Sequence, residues 1–104
     1  QYLTSYRTRR KFVTKTAGYV ATTTDSVILV DATSGAISID LPAVASSNEV
    51  VLTIKKIDSS GNAVTIDGNA SETIDGATTK TLAAQWNSLT IGCNGSAWYV
   101  LASS

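Results

Sequence analysis

Between Val64 and Thr79 the chain reads V-T-I-D-G-N-A-S-E-T-I-D-G-A-T-T, with Ile-Asp-Gly at 66–68 and again at 74–76. Asp67, Glu72 and Asp75 fall close together there, with Asn69 and Ser71 among them. Such a cluster has the atoms for two chemistries: a carboxylate pair for acid–base catalysis, or an oxygen cage for calcium. The calcium pattern is not met. From Asp67 the run is D-x-N-x-S, but Glu72 stands where a calcium loop has its glycine, and no Gly-rich nonapeptide repeat occurs. Asp-Gly is also a common turn pair, because glycine supplies positive φ and aspartate tolerates it. The segment therefore reads as two turns around one apolar anchor, Ile74.

Elsewhere the groups that do chemistry are sparse. The chain has no histidine, so a nucleophile would have to borrow a lysine or a carboxylate as its base. Lys55 and Lys56 are neighbours on a strand and point to opposite faces, so they do not pair. No G-x-S-x-G occurs. The sequence predicts no enzyme, no catalytic residue, no metal and no cofactor. Cys93 is the single cysteine, which excludes an intrachain disulfide. Within L-T-I-G-C it reads as a buried, inert thiol.

Three aromatic residues, Trp86, Trp98 and Tyr99, are candidate platforms for a sugar ring, with structural packing as the competing reading for each. Trp98 and Tyr99 are adjacent on a strand, so one faces the core: Trp98 is assigned inward, Tyr99 to the surface or an interface. Trp86, in A-Q-W-N before a strand, is the more exposed candidate. Trp86 and Tyr99 are thus the candidate glycan-binding residues.

Charge is unevenly placed although the net is zero. Residues 1–17 carry Arg7, Arg9, Arg10, Lys11 and Lys15 and no acid; the rest carries three lysines against eight acids. A basic arm or linker (1–17) precedes a mildly acidic domain (18–104). Arg7, Arg9, Arg10 and Lys11 form a candidate docking arm for an acidic neighbour. Nucleic acid is not expected, since no recognisable nucleic-acid module is present. Asn69-Ala70-Ser71 and Asn94-Gly95-Ser96 match glycosylation sequons, which carry meaning only on a secretory route. No apolar stretch approaches the ~20 residues that cross a bilayer, so membrane insertion by a helix is not expected. A start at Gln1 rather than Met marks a fragment or a processed product.

These residues must be held by short strands. The chain is rich in Thr, Ser, Val and Ile, and β-branched residues suit a pleated surface. Strand runs are predicted at Gly18–Thr22, Ser26–Asp31, Ala36–Leu41, Glu49–Lys56, Ala63–Asp67, Thr78–Ala83, Ser88–Gly92 and Ala97–Ala102, and Tyr6–Thr14 is a candidate ninth. T-S-G at 33–35, S-S-G-N at 59–62 and the Asp-Gly and Asn-Gly pairs supply the turns. Residues 43–49, after Pro42, read as a loop with room for one helical turn. Parallel pairing requires long crossovers, so the expectation is an all-β antiparallel sandwich or barrel of about eight strands. Inward rows are Ile37, Ile39 and Leu41; Val50, Leu52 and Ile54; Val64 and Ile66; and Leu89, Ile91 and Cys93.

Two runs break the alternation. Val27-Ile28-Leu29-Val30 and Trp98-Tyr99-Val100-Leu101 are apolar on both faces, so each needs a second cover. That cover is either a neighbouring subunit or the N-terminal segment.

The order G-Y-V-A-T-T-T-D-S-V-I-L-V-D-A-T-S-G-A-I-S-I-D-L-P-A, then V-L-T-I-K-K-I-D-S-S-G-N-A-V-T-I-D-G, E-T-I-D-G-A-T-T and a closing N-G-S-A-W-Y-V, resembles a module of bacteriophage fibre and other virion appendage proteins. The resemblance covers roughly Gly18 to Leu101. It implies a β-sandwich or jelly-roll-like domain of a tail fibre, tailspike or capsid fibre, located on the virion. It further implies a homotrimer that serves assembly, stability or attachment to host-surface glycan beside other virion proteins, with no catalytic residues. Two function classes follow: a structural trimerising domain, or a carbohydrate-binding module recognising host polysaccharide.

Overall fold

The structure is a computed structural model and describes residues 10–104. Arg7 and Arg9 lie outside the described residues, as do residues 6–9 of the Tyr6–Thr14 run. Nine strands occur in chain order among the described residues: β1 Phe12–Lys15, β2 Tyr19–Val20, β3 Val27–Val30, β4 Ile37–Asp40, β5 Val51–Lys56, β6 Val64–Asp67, β7 Thr79–Leu82, β8 Ser88–Cys93 and β9 Trp98–Ser103. Among the described residues Val44–Ser46 makes the one helical turn, a 3-10 turn after Pro42. The domain is all-β, and the eight runs legible as strands are β2 to β9.

The strands form two mixed sheets, one ordered β1-β3-β5-β8-β9 and the other β2-β4-β6-β7. Their buried side chains gather into a single core that includes Ile28, Val30, Ile54, Ile91 and Trp98 from the first sheet and Ile37, Ile39, Val64 and Ile66 from the second. Two sheets over a shared core are compatible with a β-sandwich. The inward rows expected from alternation are buried at Ile37, Ile39, Leu41, Leu52, Ile54, Val64, Ile66, Leu89, Ile91 and Cys93.

The antiparallel expectation is corrected. The β1–β3, β3–β5, β2–β4 and β4–β6 ladders are parallel; only β5–β8, β6–β7 and β8–β9 are antiparallel. The crossovers exist, but each is made of strand. From β1 to β6 the chain alternates between the sheets, so every parallel connection in one sheet runs through a strand of the other. The result is a flattened coil, which β7, β8 and β9 then close by folding back antiparallel. The candidate ninth strand is present as β1, shifted to Phe12–Lys15. Phe12–Lys15 pairs with Val27–Val30 in register, so a boundary at residue 17 runs inside the first sheet.

Lysine at an inward strand position is costly unless paired. Lys56 continues the row of Leu52 and Ile54 and is fully buried. Its ammonium lies 2.7 Å from Asp58 Oδ2. Asp58 also accepts the Ala32 N–H (2.7 Å), the Ser60 N–H (3.1 Å) and the Ser60 hydroxyl. Burial alone would raise the Asp58 pKa. The bonds from Lys56, Ser60 and Ala32 outweigh it and hold the carboxyl well below the usual carboxylate range. This network ties the end of β5 to the loops after β3 and before β6.

Candidate functional site

The three clustered carboxylates are directed to separate tasks. Asp67 lies on β6 opposite Asp40 of β4. Glu72 Oε1 accepts the Val44 N–H at 3.0 Å, at the start of the 3-10 turn. Asp75 Oδ1 accepts the Val100 N–H at 2.9 Å, and the Asp75 N–H donates to the Trp98 carbonyl at 3.0 Å. Trp98 in turn donates its backbone N–H to the Thr73 carbonyl, and Ile74 bridges Trp98 in the parallel sense. Among the described residues no three His, Cys, Asp or Glu side chains gather as a metal-binding group.

The two Ile-Asp-Gly triplets therefore differ in function. Ile74-Asp75-Gly76-Ala77 is a two-residue hairpin closed by both backbone bonds, with φ of 50° at Asp75 and 82° at Gly76. Positive φ at both central residues is the type I′ pattern that Asp-Gly favours. Its Ile74 is fully buried, and its backbone covers the β9 edge. At the first triplet Ile66-Asp67 ends β6, and Gly68 is needed for space: a Cβ there would stand 2.3 Å from the Glu72 carbonyl oxygen.

Near the N-terminus, Asp25 is buried and takes the Tyr19 hydroxyl (2.7 Å) and the Thr22 N–H (2.9 Å) on Oδ2. Burial pushes its pKa up, but these bonds and the Lys11 ammonium, 3.3 Å from Oδ1, carry it below the ordinary value. The same hydrogen bond, with burial and the Asp25 charge, raises the Tyr19 pKa. Of the candidate docking arm, Arg10 and Lys11 are exposed. Lys11 is already engaged with Asp25.

The outer face of the five-stranded sheet follows from the registers. One row runs Val51, Gly92 and Tyr99; a second runs Phe12, Val27, Thr53, Thr90 and Ala102; a third runs Thr14, Leu29, Lys55 and Ser88. A register irregularity between Thr90 and Ile91 sets Leu101 over Gly92, where an added Cβ would lie 3.0 Å from Leu101 Cδ1 and 3.7 Å from Val51 Cγ2. Phe12 is 62% exposed, Leu101 60% and Tyr99 46%. The Thr53 and Thr90 hydroxyls meet at 2.9 Å at the centre of this face.

Trp98 is fully buried, and its indole N–H has no hydrogen-bond partner. Trp86 is 57% exposed, on the turn between β7 and β8. The two candidate glycan residues do not converge. Trp86 stands before Ser88 at one end of β8, whereas Tyr99 pairs with Gly92 near the other, about 14 Å along the strand by the usual rise per residue. Lys55 reaches over the Trp86 ring, its Nζ 5.8 Å from the indole centroid and 3.2 Å from the Trp86 carbonyl oxygen. Sequence reasoning missed this neighbour, and it missed the buried Lys56. Extending the Leu52, Ile54 alternation by one step places Lys56 inward and Lys55 outward.

No protein-family model matches the chain, and no curated protein matches it.

Proposed function

We propose that this chain is a non-catalytic structural domain of a phage virion appendage, a tail or capsid fibre, that assembles as a homotrimer at the particle surface. The resemblance noted above supplies the class. The structural observation that supports it is the outer face of the five-stranded sheet, where Phe12, Val27, Leu29, Val51, Tyr99 and Leu101 are turned away from the core. The row of Thr14, Leu29 and Lys55 bounds this face at one end, with the Lys55 ammonium outside the assigned contact. The partner assigned to this face is another copy of the same chain. Light scattering or sedimentation tests this: the expected mass is three times 10.8 kDa, and a mass of one chain over a wide concentration range overturns the trimer.

A second reading, a carbohydrate-binding module for host surface polysaccharide, is favoured by Trp86. An exposed indole offers a flat apolar area with a polar edge, and here it is held on a turn tied by backbone bonds. Binding of host polysaccharide by wild type, lost in Trp86→Ala with the fold intact, supports this reading. Tyr99, distant from Trp86 and amid the apolar face, belongs to the assembly surface.

A further inference from the structure

Trp86 breaks a local rule. The Asn87 N–H donates to the Ala84 carbonyl at 3.1 Å, closing a four-residue turn over Ala84–Asn87. Trp86, the third residue, has φ of 72°, while Gln85 is not among the residues with positive φ. That is a type II turn, whose third position calls for glycine or asparagine. An aromatic side chain there is strained, and burial does not explain it, because the ring is mostly exposed. Strained residues of this kind concentrate at sites of function.

The surroundings hold the strain in place. The Trp86 N–H donates to the Lys56 carbonyl (2.8 Å), Gln85 Nε2 to the Ile57 carbonyl (3.2 Å), and Ala84 N–H to Asn87 Oδ1 (3.0 Å). Lys55 Nζ donates to the Trp86 carbonyl at 3.2 Å. The ion pairs found among the described residues are Lys11–Asp25 and Lys56–Asp58, so Lys55 takes part in neither. An ammonium has three donors; this one stands over the indole ring and, among the described residues, uses one donor on the Trp86 carbonyl.

We propose that Trp86 and Lys55 form a preorganised site for an anionic sugar residue. The apolar face of the ring lies on the indole, and its carboxylate or sulfate is held by the Lys55 ammonium. The inference rests on the glycan-binding reading above and adds the charge of the ligand. A neutral sugar would use the indole and leave the ammonium idle. Rigidity matters here, because a platform fixed before binding loses little entropy on binding.

The test is titration of the intact chain, followed by calorimetry and indole fluorescence, with acidic and neutral probes. The carboxylated probes are oligogalacturonate, hyaluronan oligosaccharides and polysialic acid; the sulfated probe is dextran sulfate. The neutral partners are methyl-esterified oligogalacturonate and dextran. The expected result is that at least one acidic probe binds about tenfold or more tighter than the neutral ones, the worth of one charge-assisted hydrogen bond. Lys55→Gln removes that preference, and Trp86→Gly, which suits the turn, removes binding while the circular dichroism is unchanged. Comparing the carboxylated probes with dextran sulfate identifies the anion. Binding to none of the probes overturns this inference together with the glycan reading. Equal binding of acidic and neutral probes, or an unchanged preference in Lys55→Gln, overturns the inference alone and leaves the glycan reading standing.

Discussion

Gly68 and Gly76 follow the same two residues, Ile-Asp, yet alanine should cost very different amounts at the two positions. At Gly68 a Cβ would stand 2.3 Å from the Glu72 carbonyl oxygen and 3.0 Å from its carbonyl carbon. An ordinary carbon–oxygen approach is about 3.3–3.6 Å, so the backbone must open by about 1 Å. The part that has to move is anchored: Glu72 N–H bonds the Asn69 carbonyl, Glu72 Oε1 holds the Val44 N–H, and Ile74 is in the core two residues on. Overpacking against fixed structure costs about 1–3 kcal/mol, occasionally more, and the rigid obstacle places Gly68→Ala near 3. At Gly76 nothing lies within 4 Å of the added Cβ. Only the left-handed backbone, φ 82°, is penalised, at about 1–2 kcal/mol.

For a domain of this size, 1 kcal/mol shifts Tm by about 4–8 °C. Gly68→Ala should therefore lower Tm by about 12–24 °C and Gly76→Ala by about 4–16 °C. Asparagine separates the causes, since it tolerates the left-handed region but not the clash. Gly76→Asn should recover most of the loss, whereas Gly68→Asn should be no better than Gly68→Ala. Thermal and urea melts at one fixed protein concentration measure this, the concentration being held because assembly adds to apparent stability. Gly68→Ala milder than Gly76→Ala, or rescue by asparagine at 68 and not at 76, would refute the division of labour between the triplets.

At position 86, truncation to glycine should leave the domain about 1 kcal/mol more stable than truncation to alanine, the reverse of the usual order for a surface site, because φ there is positive; paired urea melts measure it. Asp58 has a folded pKa below its unfolded value of about 3.9. Its stabilisation is therefore complete above that value and is lost as pH falls through the folded pKa. Asp58→Asn should lower stability at neutral pH and flatten the acid limb of a Tm-against-pH curve; an unchanged acid limb would count against the network. Leu101→Asp puts a charge on the outer sheet face without touching the core, so a trimer should fall to the single-chain mass with far-UV circular dichroism retained.

The strands were legible because burial of one face imposes a period of two. Ile37, Ile39 and Leu41 alternate with Ser38 and Asp40 in the chain and in the structure alike. Strand partners were not legible. Side-chain alternation reports which face is covered and says nothing of which strand lies alongside: β3 and β4 are consecutive in the chain and lie in different sheets. The site divides in the same way. Exposure of Trp86 and burial of Trp98 follow from local pattern. The turn type and the Lys55 contact depend on β5 lying beside β8, a pairing across more than thirty residues of chain.

A coil of parallel strands leaves edges, and an unpaired edge is a template for aggregation. Three of the four edges here are blunted by visible devices. The β9 edge is occupied by Thr73, Ile74 and Asp75. On β7, Lys80 sits opposite the buried Ile66, a charge on the inward side that a pairing strand would have to accommodate. The β2 edge is two residues long. The fourth, β1, turns the backbone of Lys11 and Lys15 towards β3, so by alternation Phe12 and Thr14 face outward from the sheet edge. Lys11 and Lys15 stand at its two ends, one on Asp25 and the other 4.1 Å from the Tyr19 ring centroid. Lysines flanking a short exposed strand are a recurrent guard against edge-to-edge pairing. The basic character of residues 10–15 thus has a reason within the fold: these cations guard an edge that no neighbouring segment covers among the described residues.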